Sequence, residues 1–578
     1  MPLAPGRWLP MILAASASVL AQDIPVKAHT LSNGMRVLLV ERHDQPTISA
    51  GWVARVGSAD ERPGITGLAH LFEHMMFKGT KTVGTKDAAK DAALNAAQDR
   101  VQAEIRKELD ILREKQRRGE IADMMDPKVR TPRLEKLMAE FDGLVKEQRA
   151  LIVKDELDKL YKQEGARGLN ANTSTDRTYY HIDIPSNKLE LWAWLESDRL
   201  KNAVFREFYS ERDVVLEERR QRYDTNPQAK ALQVMDATVW QAHPYAWPVI
   251  GWVSDISQVT REQADAFFAT YYAPNNITTV LVGDFKADEA LPLLERYFGR
   301  IPANPKGTPA LITQEPPQTA EQRLNTEIEA MPMSVAVYKT VPSVHKDSYA
   351  LTMLGAILNG NSGRLNKELV LKQKIAVGAQ AFNRAMKYGG MFYLLGVPTP
   401  EKTPSDMEAP LVAELEKIAK DGPTDQELQK VKNQFQAAAY GRMEDNGDLR
   451  DALAEADSAG TYEDFLKEPA RLAAITKEDI RRVAAEYFKK ENRTVLNISR
   501  KAVKQEGPVD PELEKIPAEA RPMIQAQLKQ LEGLDLEKCK AALAQMEGQV
   551  ANVPPQAKPI FDYLLNKLRA RIQKLEAK

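Results

Sequence analysis

The chain has almost no cysteine. Cys539 is the only one in 578 residues, so no internal disulfide can form, and the fold must rest on cores large enough to hold it together. Charge of one sign is also missing. Eighty lysines and arginines stand against 81 aspartates and glutamates, without the basic excess that marks an electrostatic nucleic-acid binder. Beyond residue 21 no stretch is long and apolar enough for a membrane helix. Histidine is scarce, with seven in all. What is present is an ordinary globular composition, 43% hydrophobic, at a length that calls for more than one domain.

The N-terminus has the features of an export signal over residues 1–21. Arg7 supplies positive charge, Trp8 to Ala21 a short apolar run, and Val19 and Ala21 place small side chains before a cut ahead of Gln22. That run is too short to cross a bilayer comfortably. The mature protein is therefore expected to be periplasmic or secreted, with no membrane span once the signal is cleaved.

Leu31 to Val40 predicts a turn running into a strand, residues 47–57 a second strand, and a helix starts near Thr66. From about 86 to 162 alanine, leucine, lysine, glutamate and arginine dominate, broken at Asp126-Pro127 and Thr131-Pro132; this predicts an inserted helical hairpin. Strands return at 168–174 and 179–184, followed by helices over 187–201 and 207–222. Two later segments then repeat each other. Val259, Tyr271, Asn276 and Thr278 recur at one constant offset as Ile475, Tyr487, Asn492 and Thr494. The expected fold class is α+β: two homologous α/β domains at 26–300 and 321–500, an inserted helical hairpin, and a helical appendage over 501–578. A proline-rich linker at 301–320 joins the domains.

His70-Leu-Phe-Glu-His74 is the strongest chemical signal. Residues four apart on a helix share a face, so both imidazoles can reach one ion. Zinc favours nitrogen ligands and keeps a position open for water in catalytic sites. Glu73 lies on the same side and can accept that water's proton; H-x-x-E-H is the inverted order of zinc peptidase motifs. The plainer alternative is two satisfied histidines. A third ligand is sought in Glu211-Arg-Asp-Val-Val-Leu-Glu-Glu218, where Glu211 and Glu218 share a face and Glu217 turns to solvent. Taken alone, that segment is equally a charged helix face.

With these residues assembled, the sequence resembles the pitrilysin/insulinase family of zinc metallopeptidases, which includes mitochondrial processing peptidase. The likeness covers about residues 28–500. It rests on Gly64-x-x-Gly67-Leu-Ala-His-Leu-Phe-Glu-His-Met-Met-Phe-Lys-Gly-Thr80, Leu169-Asn-Ala-x-Thr-Ser174, Trp194-Leu-Glu-Ser-Asp-Arg199, Glu211 to Glu218, and His243-Pro-Tyr245. The resemblance implies one Zn2+ per chain held by His70, His74 and Glu218, with Glu73 as general base and Glu211 orienting a ligand. It implies that Asn170 and Ala171 lie on an edge strand where peptide substrate is laid out in extended form, because an unpaired strand edge binds backbone with little sequence restriction. The implied function is zinc-dependent endopeptidase action on peptides or unfolded segments. The alternative is a non-catalytic scaffold or binding subunit of a processing-peptidase-like complex.

Two features depart from the family pattern. The interval from His74 to Glu218 is nearly twice the usual one, and the hairpin accounts for the excess. The family also places an arginine and a tyrosine seven residues apart in the C-terminal domain, aimed at the substrate carbonyl; here Val370 and Val377 occupy those positions. This implies a homologous partner subunit that supplies the arginine and tyrosine, a heterodimer. The rival is a homodimer in which Asn361 or Arg384 substitutes.

Overall fold

The structure, a computed structural model, describes residues 24–501, 533–550, 553, 557–576 and scattered positions between 512 and 531. The expected export signal, 1–21, lies outside the described residues. The chain divides into two compact units, Met1–Arg500 and Lys501–Lys578.

The first unit opens with strands β1 (Lys27–Thr30), β2 (Arg36–Glu41) and β3 (Thr47–Ala54). Helix α1 (Leu68–Met75) follows, then α2 (Ala88–Arg117), α3 (Pro132–Leu151) and α4 (Glu156–Gln163). A hairpin of β4 (Arg167–Thr173) and β5 (Thr178–Pro185) comes next. Helices α5 (Leu189–Lys201), α6 (Phe208–Arg219) and α7 (Pro227–Val239) precede β6 (Ile277–Gly283). These strands form one sheet in the order β1-β2-β6-β3-β5-β4. A second sheet takes β7 (Gln322–Ile328), β8 (Met333–Thr340), β9 (Ala376–Ala385), β10 (Gly390–Pro398) and β11 (Arg493–Arg500) in the order β7-β11-β8-β10-β9.

Apart from β1 the two sheets use their strands identically. Each has one parallel pair, β2 with β6 and β7 with β11, and is otherwise antiparallel. The repeated segments occupy the same place in both. Helices Arg261–Tyr271 and Lys477–Tyr487 start on threonine capping boxes, Thr260 with Gln263 and Thr476 with Asp479. The Asn276 amide donates to the Tyr271 carbonyl at 2.8 Å, and Asn492 donates to Tyr487 at 2.8 Å. The fold is α+β, as the sequence predicts.

Both faces of each sheet are covered, which is why strands such as Val37-Leu-Leu-Val40 are apolar without a break. Val37 and Leu39 face the helices of their own half, whereas Leu38 and Val40 meet Leu449 and Leu453 from the helix Asn446–Ala459 of the other. The second sheet is treated in the same way: Val335, Val337, Leu496 and Ile498 meet Met235 and Val239 of α7. Each half thus lends a helix to the other's sheet. A buried carboxylate fastens one of these contacts. Asp457 pairs with Arg36 at 2.9 Å and Arg55 at 2.7 Å, and accepts from Thr278 Oγ1 at 2.7 Å.

The hairpin of α2 and α3 is anchored at its base by buried polar groups. Gln148 donates to Asp91 and Asn95, each at 2.8 Å, and accepts from Gln98 at 2.9 Å. Arg206 pairs with Asp91 at 2.7 Å and donates to the carbonyls of Lys78 and Thr80, in the chain leaving α1. Farther out the helices close over Val101, Ile105, Leu112 and Leu134. In the second unit, helices Leu536–Gln549 and Lys558–Glu576 bury Cys539 with Leu568 and Ile572.

Candidate metal centre

Helix α1 begins directly after Gly67, whose φ is +88°. A side chain there would meet the Ile250 carbonyl oxygen at 2.5 Å, so only glycine fits. The buried Glu61 side chain accepts from the backbone N–H groups of Gly67 and Ala69 at 2.8 and 2.7 Å and so caps the helix; burial pushes its carboxyl well above the ordinary range, against the pull of these two bonds. Leu68, Ala69, Leu71, Phe72 and Met75 commit one face of α1 to the core. His70 and His74 are left to face α6, and Glu73 reaches toward β4.

Helix α6 brings its carboxylates to meet them. Glu218 Oε2 lies 3.7 Å from His70 Nε2 and 3.5 Å from His74 Nε2. The three ligand atoms fall within 4.8 Å of one another. A tetrahedral zinc ion with bonds of about 2.0–2.2 Å separates its ligands by about 3.3–3.6 Å, so this donor set fits the metal that the motif implies. Glu211 stands behind His74, with Oε2 3.4 Å from Nδ1 and Oε1 2.5 Å from Lys78 Nζ. The second oxygen of Glu218 faces Arg222 at 2.8 Å. In both carboxylates one oxygen serves a histidine and the other a cation. Glu217 turns to solvent and pairs with Arg220.

Burial, together with the charges of His74 and Arg222, pushes His70 down to about 3, leaving a neutral imidazole whose lone pair is available. Its Nδ1 is buried and meets no acceptor among the described residues; packing rather than a hydrogen bond holds the ring. Burial also pulls His74 down, but the hydrogen bond and charge of Glu211, with the charges of Glu218 and Glu73, outweigh it and raise the ring above its ordinary value. Burial raises Glu211, yet its bonds to His74 and Lys78 leave it below the usual carboxylate range.

Glu73 Oε2 accepts from Thr173 Oγ1 at 2.7 Å, tying the motif to the end of β4. Among the described residues that strand pairs only with β5, at the edge of its sheet. Asn170 is exposed and sits opposite His181; Ala171 is buried opposite Tyr180. Val370 packs against the second core, Val377 is exposed on β9, and Asn361 and Arg384 are exposed. The motif did not reveal Lys78, Arg222 or Thr173. Lys78 follows His74, and Arg222 follows Glu218, by one helical turn, and that spacing is the signal that would have found them.

Two models of one family match the chain: insulinase (peptidase family M16) at residues 36–126 and 152–251, and the peptidase M16 inactive domain at 258–435. Together they cover more than half of it, and the chain belongs to the insulinase peptidase family. The gap at 127–151 falls on α3 of the inserted hairpin. Among relatives, zinc protease PqqE of Helicobacter pylori is 26% identical over 488 residues, spanning 83% of this chain and 94% of that protein. A solved protease from Helicobacter pylori superposes with a TM-score of 0.67 at 25% identity, covering 82% of this chain and 99% of that one. The periplasmic protease PqqL from Escherichia coli shares the fold, with a TM-score of 0.61 at 19% identity over 85% of this chain and 49% of that one.

Proposed function

We propose that this chain is an exported zinc endopeptidase acting on peptides or unfolded polypeptide segments. The observation that carries this reading is the convergence of His70 Nε2, His74 Nε2 and Glu218 Oε2, with Glu73 on the same helical turn. Zinc held by those three residues would supply Lewis acidity to a water molecule and to the scissile carbonyl. Glu73 takes the proton of the attacking water and returns it to the leaving amine. Thr173 binds one oxygen of Glu73 and so aims the other at the water. The free edge of β4 at Asn170 and Ala171 pairs with the substrate backbone and lays it past Glu73. Export is supported by the N-terminal residues and by the periplasmic relative.

The test is direct. Purified protein should contain one zinc per chain and cleave an unstructured peptide, with cleavage lost to a chelator and restored by added zinc. Metal-free protein cleaving at the same rate would end this reading.

The partner belongs to the same proposal. Val370 and Val377 cannot donate to an oxyanion, and one lost donor costs about 10²–10³ in rate. A homologous subunit bringing an arginine and a tyrosine should raise activity by about that factor. Full activity of this chain alone, unchanged by such a subunit, would rule the heterodimer out.

A further inference from the structure

Helix α6 carries a second set of residues on the side away from the metal centre. Tyr209, Arg212, Asp213 and Leu216 follow the three- and four-residue spacing of one helical face, and Glu211 and Glu218 occupy another. The inserted hairpin lies across that second face, and between them is a cavity of about 250 Å³. Its wall is largely apolar, from Ile105, Leu109, Met124, Met138, Phe141 and Leu216.

Two arginines break this apolar lining. Arg212 is 9% exposed; its Nη1 donates to the Val259 carbonyl at 3.0 Å, and the guanidinium lies over the Tyr209 ring at 4.7 Å. Its Nε is buried with no acceptor among the described residues. Arg106 Nη1, on the hairpin side, is likewise buried without one. Arg130 lines the same cavity. Asp142 and Asp213 also line it, but neither forms an ion pair with these arginines among the described residues. Three guanidinium groups therefore face two carboxylates, leaving one positive charge unmatched. Burial pulls Arg212 down to about 10; the charges of Tyr209 and Asp213 oppose that pull, and Arg106 adds to it by like-charge repulsion. Buried donors without acceptors are costly to a fold, and such a group calls for an occupant.

We infer that this cavity binds a carboxylate on an apolar body of about the size of one amino-acid residue. The guanidinium fork suits a carboxylate, the methionine-rich wall adapts to varied apolar shapes, and the space admits one side chain. Such a ligand is either the C-terminal residue of a peptide or a free aliphatic acid. This site gives the hairpin a role of its own, since its two helices and the turn between them together supply most of the wall. It does not depend on the peptidase reading.

Titration calorimetry on the full-length protein tests it, with N-acetyl-L-leucine and octanoate as probes and their primary amides as controls. A carboxylate should bind one per chain, and at least about tenfold more tightly than its amide, the factor expected for a lost charge-assisted hydrogen bond. N-acetyl-L-leucine binding alone assigns the site to peptide ends, and octanoate binding alone assigns it to free acids. Arg106→Met, at a half-exposed helical position, should weaken binding by about tenfold or more. Met138→Trp should abolish it by filling the space while leaving Arg106 in place. Circular dichroism checks that both variants are folded. Acid and amide binding equally, no acid binding, or binding unchanged in both folded variants would overturn the assignment.

Discussion

Helix α1 and the helix Ser348–Leu358 each follow a central strand of their sheet, β3 or β8, and each packs beside the edge strand, β4 or β9. They differ completely in what they carry. The second, Ser-Tyr-Ala-Leu-Thr-Met-Leu-Gly-Ala-Ile-Leu, has no histidine or carboxylate and buries Leu351, Met353, Leu354, Ile357 and Leu358. The first buries its own apolar face and keeps His70, Glu73 and His74 on the remaining one. The same scaffold therefore supports either a metal site or a plain core, and the choice lies in a few positions on one turn. The candidate metal site belongs to one copy of the duplicated unit.

The comparison is broken most completely by removing the ligands. The double variant His70→Ala with His74→Ala should lose stoichiometric zinc and all cleavage, because Glu218 alone cannot hold the ion; retained zinc by elemental analysis would move the site elsewhere. Glu73→Gln should keep the metal and lose about two to four orders of magnitude in kcat, the range for a positioned general base. Unchanged turnover would remove Glu73 from the mechanism. Glu211→Gln, which leaves all three ligands in place but weakens the hold on His74 and Lys78, should weaken zinc affinity or rate by about 10–100-fold, read by chelator competition. The second helix should respond in the opposite way. Leu354→Ala should cost about 2–5 kcal/mol of unfolding free energy in a denaturant titration while zinc content stays at one per chain.

Much of this was legible from residue order. The break residues Asp126-Pro127 and Thr131-Pro132 marked the hairpin turn, and the recurrence of Tyr271 and Asn276 as Tyr487 and Asn492 marked the duplication. Local chemistry carried those signals: proline and caps punctuate helices, and an asparagine side chain binding a nearby carbonyl needs a fixed spacing. The exchange of helices between halves was not legible. Leu38 and Leu449 meet far apart in sequence, and an apolar strand reads the same whichever helix covers it. The motif named His70 and His74, and the family resemblance added Glu218, three groups that the structure brings together; Lys78 and Arg222 were hidden because charged residues four apart are common in any exposed segment. The cavity behind α6 also left no trace, since it arises where an insertion meets a helix far along the chain.

The lent helices bear on how the protein is made. Synthesis completes β6 at Gly283 well before the helix Asn446–Ala459 exists. At translation rates of about 5–20 residues per second, Leu38, Val40, Val280 and Val282 wait roughly 9–35 s uncovered. A half-made chain therefore presents a sticky apolar sheet face for that interval. If export precedes folding, the delay is harmless, because the chain is threaded out unfolded and both halves close together on the far side. If the nascent chain lingers inside, that face needs a chaperone, and a fragment ending near residue 320 would aggregate rather than behave as a small working domain.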